Sequence, residues 1–330
     1  MTIHITRTYN AFGTPGIAQG KVADIAKELG FREMGIFKYP VETDSDEGLR
    51  TRLDGILASL QDEDIVIIQS PTWNGHRFDL RLVRKIRAYK GVKLVFFVHD
   101  LVTFLGNYGT EHLHTTIEIF NYADLIIVPS NAMLELLREH GLTVKKQMVQ
   151  EMFDYPISYD VNIPCFRKRF FFTGAPSRFP FLQEWRYQTP LELYTDQPFK
   201  KDTLNLEIHG YQKETRLLTE LSEGGYGLVW SSWESDSYYH MLQPYKIGNF
   251  LAAGIPVIMQ KGLACEQIIL KNGLGFVAES LEEADAIVQT TGEEEYNRMV
   301  HNISEFNCLI KNGWFTRKLL IDTMHCLLKN

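Results

Sequence analysis

The chain has 330 residues, length enough for about two ordinary domains, and a formal charge of −7 from 34 Lys and Arg against 41 Asp and Glu. At 45% hydrophobic and 12% aromatic residues it can bury its own cores, which excludes a disordered or collagen-like protein. The acidic balance speaks against a nucleic-acid partner, and no apolar run approaches the roughly 18–20 residues of a membrane span.

The opening MTIHITRTYN reads as a strand and lacks the apolar stretch of a signal peptide, so a cytoplasmic protein is expected. Apolar strand runs then alternate with helical patterns. The strands are predicted at 3–5, 33–37, 65–68, 94–98 and 125–128, the helices at 16–29, 49–60, 78–89, 111–122 and 132–140. Runs such as LVFFV and LIIV are apolar on both faces, as in a parallel sheet covered by helices. Residues 150–168 carry two prolines and no helical period, and read as a connection. The alternation then resumes, with strands at 170–173, 191–194, 206–209, 227–230, 256–259 and 275–277, and helices at 213–222, 245–253, 265–271 and 281–290. Two helices without a strand, 293–309 and 314–328, end the chain. The expected fold is α/β, with two Rossmann-like domains facing a central cleft. The domains are expected at 1–155 and 169–310, with a linker at 156–168 and a helix at 311–330 that crosses back to the first domain. Cys165, Cys265, Cys308 and Cys326 are widely spaced without a zinc pattern, and buried thiols are expected.

Six places can carry chemistry. The loop RTYNAFGTPGIAQG is not GxGxxG, and no Walker motif follows, yet it feeds a helix start where backbone N–H groups favour an anion. Thr14 and Gly16 lie in it, and a plain βα turn is the competing reading. In FTGAPSR, a strand, a glycine and an expected apolar helix start present Arg178, whose planar fork suits phosphate oxygens. In YKIGNFLAAGIPVIM, Lys246 and Asn249 share one helix face, and a lysine in a first turn opposes the helix dipole. Tyr211 follows a strand and can stack on a base or pack on its own domain. His99 and Asp100 end a buried strand, as a general base or as an ordinary turn. The segment 230–243, with Tyr238, Tyr239 and His240, offers aromatic faces of the kind a sugar ring uses, against an ordinary exposed loop. Asp44-Ser45-Asp46 reads as helix capping rather than a metal site. The serines lack a GxSxG elbow, which disfavours a serine hydrolase.

Together the two halves, the His-Asp after the fourth strand, ADLIIVPS, FTGAPSR and YKIGNFLAAGIPVIM resemble a GT-B glycosyltransferase. Nearly end to end the chain resembles the bacterial glucosyltransferases that add the second sugar to serine-rich repeat adhesins. The resemblance implies a UDP-sugar donor, with UDP-glucose ahead of UDP-N-acetylglucosamine, and an acceptor N-acetylhexosamine already O-linked to the adhesin. It implies that Arg178 and Lys246 hold the pyrophosphate, that Tyr211 faces the uracil or ribose and that Asn249 positions phosphate or ribose. Thr14, Gly16, Tyr238, Tyr239 and His240 would line the donor-sugar and acceptor region, with Asp100 the candidate base. It implies no cofactor or required metal, and a homo-oligomer, dimer or tetramer. Two other readings stand beside it: a transferase for a capsule or galactofuranose acceptor, and a non-catalytic acceptor-binding subunit.

Overall fold

The computed structural model describes residues 1–11, 13–106, 108–199, 205–231 and 237–329. In chain order the first part runs β1 (Ile3–Tyr9), α1 (Thr14–Glu28), β2 (Arg32–Phe37), α2 (Asp46–Ile56), β3 (Ile65–Ser70), α3 (Gly75–Ile86), β4 (Lys93–Val98), α4 (Val102–Leu105), α5 (Thr110–Phe120), β5 (Leu125–Val128), α6 (Asn131–Glu139) and β6 (Lys146–Val149). The second part runs β7 (Phe170–Thr173), β8 (Leu191–Tyr194), β9 (Leu206–His209), α7 (Glu214–Leu221), β10 (Tyr226–Val229), α8 (Lys246–Ala252), β11 (Val257–Gln260), α9 (Glu266–Lys271), β12 (Gly275–Ala278), α10 (Leu281–Thr290), α11 (Glu293–Lys311) and α12 (Trp314–Leu328).

The strands form two parallel six-stranded sheets, ordered β2-β1-β3-β4-β5-β6 and β12-β11-β10-β7-β8-β9. In the first, Ile5 lies beside Glu33 and Ile67, and Phe97 beside Ile127. In the second, Phe171 is flanked by Gly227 and Glu192. Strands β3 and β5 are buried at every position, as their unbroken apolar runs require. Strand β6 was not foreseen. Its sequence, KQMV, is half polar and half-buried throughout, which suits the sheet edge it occupies and leaves no apolar signature.

The chain divides into two compact units, Met1–Glu151 with Phe315–Asn330, and Met152–Trp314. The change falls earlier than the expected 155/156 boundary, and residues 156–168 belong to the second unit. Met152, Phe153 and Tyr155 are buried there, and the rings of Phe153 and Tyr155 lie 5.5 and 5.4 Å from that of Tyr245. The Tyr155 N–H donates to Ile310 O at 3.1 Å. Helix α12 returns to the first unit. Leu319, Leu320, Met324 and Leu327 join Ile5, Phe97 and Ile127 in one core cluster, each such side chain contributing about 1.5–3 kcal/mol when fully buried. All four cysteines carry thiols, but only Cys265 is buried. Cys165 and Cys308 are exposed, on the connection and on the outer side of α11.

Candidate active site

In the second unit the strand order reverses between β7 and β10, and open α/β sheets bind ligands outside the carboxyl ends of the strands at such a point. One loop there runs from Thr173 through Gly174 into two 3-10 turns, Pro176–Arg178 and Pro180–Glu184. The segment after Arg178, expected to start a helix, closes instead in the short 3-10 turn that opens on Pro180. Arg178 itself, exposed, is the donor group of this loop. A Cβ on Gly174 would lie 2.8 Å from Phe179 and 3.1 Å from Phe172, so glycine lets these two rings meet edge to face at 4.9 Å.

Lys246 opens α8 beside them. Its Nζ lies 3.8 Å from the Phe172 ring centre, 4.3 Å from Phe179 and 6.0 Å from Tyr239. The residue is half-buried, but the Nζ is shut off from solvent and has no hydrogen-bond partner among the described residues. Burial, and then the charge of Arg178, push its pKa well below the usual lysine range. An ammonium held by ring faces alone is electrostatically incomplete, and an anion completes it. Asn249, one turn on, has a buried Oδ1 without a partner among the described residues.

The other predicted residues of this unit divide. Tyr211, just beyond β9, is 74% exposed and presents its ring to solvent. Tyr238 and Tyr239 do not offer the open ring faces expected of a sugar site. Both are 5% exposed, and Tyr239 stands edge-on to Phe179 with the ring centres 6.2 Å apart, part of the wall around the lysine. His240 is half-buried in the same 3-10 turn. Residues 232–236 of that segment, Trp233 among them, lie outside the described residues.

In the first unit Thr14 is the exposed first residue of α1, and Gly13 before it has φ +75°. A Cβ on Gly16 would sit 2.1 Å from Ala11 O, so the loop folds back on itself where only glycine fits. Gln19 donates to Pro71 O at 2.9 Å and its own carbonyl accepts from Gln69 Nε2 at 3.0 Å, which ties the start of α1 to the end of β3. His99 is structural rather than a base. Its Nε2–H donates to Gln69 Oε1 at 2.8 Å, because the Gln69 amide is spent on Thr6 O and Gln19 O. Its ring stacks on Phe97 at 4.5 Å, and burial pushes the imidazole down to about 3. Asp100 is half-buried, with Oδ1 accepting from Leu101 N at 3.0 Å.

Asp100 also lines a cavity of about 400 Å³ beyond β3 and β4, walled by α3, α4 and α5. Sequence reasoning missed other polar members, among them Trp73, His76, Asp79 and His112. Asp79 accepts from Thr72 Oγ1 at 2.5 Å, and burial pushes its carboxyl up to about 7. The rings of His76 and His112 lie 4.0 Å apart. Burial and the neighbouring ring push His76 down to about 4, and burial lowers His112. Trp73 has φ +64°, a left-handed backbone that costs a bulky residue about 1–3 kcal/mol. Asn74 holds it there, donating to Phe37 O and accepting from Tyr39 N, both at 3.1 Å. Among the described residues no three His, Cys, Asp or Glu side chains group as a metal site. Asp44 is engaged by Tyr39 at 2.6 Å and Arg52 at 3.0 Å, while Ser45 caps α2.

Comparison with known proteins places this geometry in a family. Residues 2–152 match the model of the glucosyltransferase 3-like N-terminal domain, and residues 170–323 that of the glucosyltransferase 3-like C-terminal domain. Glucosyltransferase 3 of Streptococcus parasanguinis is 40% identical over 311 residues, 94% of each chain. Glucosyltransferase 3 of Streptococcus gordonii is 40% identical over 332 residues, 98% of each chain. Among solved structures, HepE of Anabaena in complex with UDP-glucose shares the fold at a TM-score of 0.65 and 12% identity, covering 98% of this chain and 99% of its own. The chain belongs to the bacterial glucosyltransferase 3 family and is a glycosyltransferase of GT-B fold.

Proposed function

We propose that the chain transfers glucose from UDP-glucose to an N-acetylhexosamine already O-linked to a serine-rich repeat adhesin. The reading is carried by Lys246, whose Nζ is enclosed by Phe172 and Phe179 at the strand-order reversal and has no hydrogen-bond partner among the described residues. It is supported by relatives whose name is glucosyltransferase 3 and by a structural neighbour solved with UDP-glucose. Lys246 and Arg178 take the pyrophosphate, Tyr211 faces the uracil or ribose, and Asn249 turns to the phosphate or ribose. Thr14 and Gly16, with His240, serve the donor sugar and the acceptor.

In the reaction the bond from sugar C1 to the β-phosphate oxygen breaks, and a bond from C1 to the acceptor oxygen forms. Negative charge grows on the departing diphosphate, and Arg178 together with Lys246, protonated as the anion binds, stabilises it, so no metal is required. The acceptor proton goes to Asp100 if the anomer inverts, or to the departing phosphate if it is retained. The enzyme works in the cytoplasm as a homo-oligomer.

The test is a transfer assay in EDTA on a serine-rich peptide carrying N-acetylhexosamine, run separately with UDP-glucose and UDP-N-acetylglucosamine. Transfer from UDP-glucose is expected. Transfer from the second donor alone overturns the sugar assignment. UDP binding without transfer from either moves the acceptor to another glycan, and no UDP binding leaves a non-catalytic subunit.

A further inference from the structure

Arg178 sits on a loop with little support of its own. Its 3-10 turn, Pro176–Arg178, opens on Ala175 without a side-chain cap. The Arg178 side chain is exposed, lies 5.9 Å from the Phe179 ring centre, and has no hydrogen bond or ion pair among the described residues. A long, exposed side chain must be ordered when it meets a ligand, and backbone that is already fixed lowers that cost.

The turn is fixed at both ends. After Arg178, Phe179 is buried, with its ring edge-on to Phe172. Before it, Ser177 reaches across to the loop that follows β8. The Ser177 hydroxyl donates to Gln197 Oε1 at 2.8 Å and its N–H donates to the same oxygen at 3.4 Å. Gln197 therefore caps the turn from the neighbouring loop. Its own place is set by Thr195, whose Oγ1 accepts from Gln197 N at 3.1 Å. Thr195 is buried, and its N–H donates to His209 O at 3.1 Å, at the end of β9. One chain of hydrogen bonds thus runs from the end of β9, through the loop after β8, to the residue next to Arg178.

We propose that Gln197 is a positioning residue for the transfer reaction: through Ser177 it holds the Arg178 backbone so that the guanidinium meets the diphosphate, and its own amide makes no contact with the nucleoside. The proposal rests on the reading above that Arg178 takes the pyrophosphate.

The test measures the affinities of UDP and of uridine, which lacks the phosphates, by ligand-observed NMR. The full chain is compared as wild type, Gln197→Met, Arg178→Ala and the double variant, with folding checked by thermal melts. Gln197→Met removes the acceptor and keeps the side-chain length. It is expected to weaken UDP severalfold and to leave uridine within about twofold. Added to Arg178→Ala, it is expected to change UDP affinity by less than about twofold, because the group it positions is gone. Unchanged UDP affinity in Gln197→Met overturns the proposal. Equal losses for uridine and UDP overturn it too, as does a double variant whose loss is the product of the two single losses. Wild type that binds UDP no more tightly than uridine contradicts the diphosphate reading and overturns both. Wild type that prefers UDP leaves that reading standing, and the variants then decide Gln197 alone.

Discussion

The two units share a parallel six-stranded sheet and differ in the charge they hold beyond it. In the second unit a lysine is wedged between Phe172 and Phe179, with Arg178 close enough to depress its pKa further. In the first, a cavity holds a protonatable carboxyl and neutral imidazoles, with no cation among its described lining residues. One architecture thus holds a lysine among aromatic rings in one unit and a carboxyl among imidazoles in the other. The difference comes from a few side chains at strand ends and helix starts, while the buried strands only hold them in place.

The contrast can be broken most forcefully at Lys246. Lys246→Met removes a charge-assisted contact and is expected to cost UDP binding about 3 kcal/mol, more than a hundredfold. The same change relieves an uncompensated buried amine, so the melting temperature of the ligand-free protein is expected to rise. The sign follows from the depressed pKa. The folded state binds fewer protons than the unfolded one, so wild-type stability grows with pH until the unfolded lysine titrates, and it falls as the pH drops through the folded value. Lys246→Met removes that slope, and a thermal melt series over pH reads it. A variant less stable than wild type at every pH would mean that Lys246 is a structural residue.

Asp79 gives the opposite slope. Its folded pKa is raised to about 7, so its stabilising contribution is intact below the unfolded carboxylate range and is lost as the pH rises through 7. Between pH 5 and 8 the loss is on the order of 2 kcal/mol. Asp79→Asn is expected to flatten this part of a urea-denaturation profile, and a profile that keeps its slope would place the carboxyl in water. The smallest effect is expected at Arg178. It is exposed, so Arg178→Ala weakens UDP binding by about 1.5 kcal/mol, roughly tenfold, with no change in melting temperature.

Much of this was legible in the residues. Runs such as LVFFV and LIIV announce buried parallel strands, and YKIGNFLAAG displays a lysine where the helix dipole disfavours one. Other features leave no local trace. Strand β6 is an edge strand of mixed polarity. The segment after Arg178 has helix-like apolar content and closes in a 3-10 turn. Asp79 sits on α3 next to Phe78, a buried core residue, and reads as the polar side of an amphipathic helix. Only the packing of α5, which brings His112 and Thr116 opposite, turns that side into a cavity wall. The sequence also shows that 238–240 is aromatic, but not that Tyr238 and Tyr239 are covered.

The central claim is that the second unit binds a diphosphate by completing a buried, proton-depleted lysine. Calorimetric titration of UDP into wild type and Lys246→Met, near the depressed lysine pKa and in two buffers of different ionisation heat, tests it directly. Binding of the anion restores the proton to Nζ, so wild type is expected to show net proton uptake, read as a buffer-dependent enthalpy. The variant is expected to lose both the uptake and most of the affinity. Equal affinity in the two proteins, with the same buffer dependence, would contradict the account.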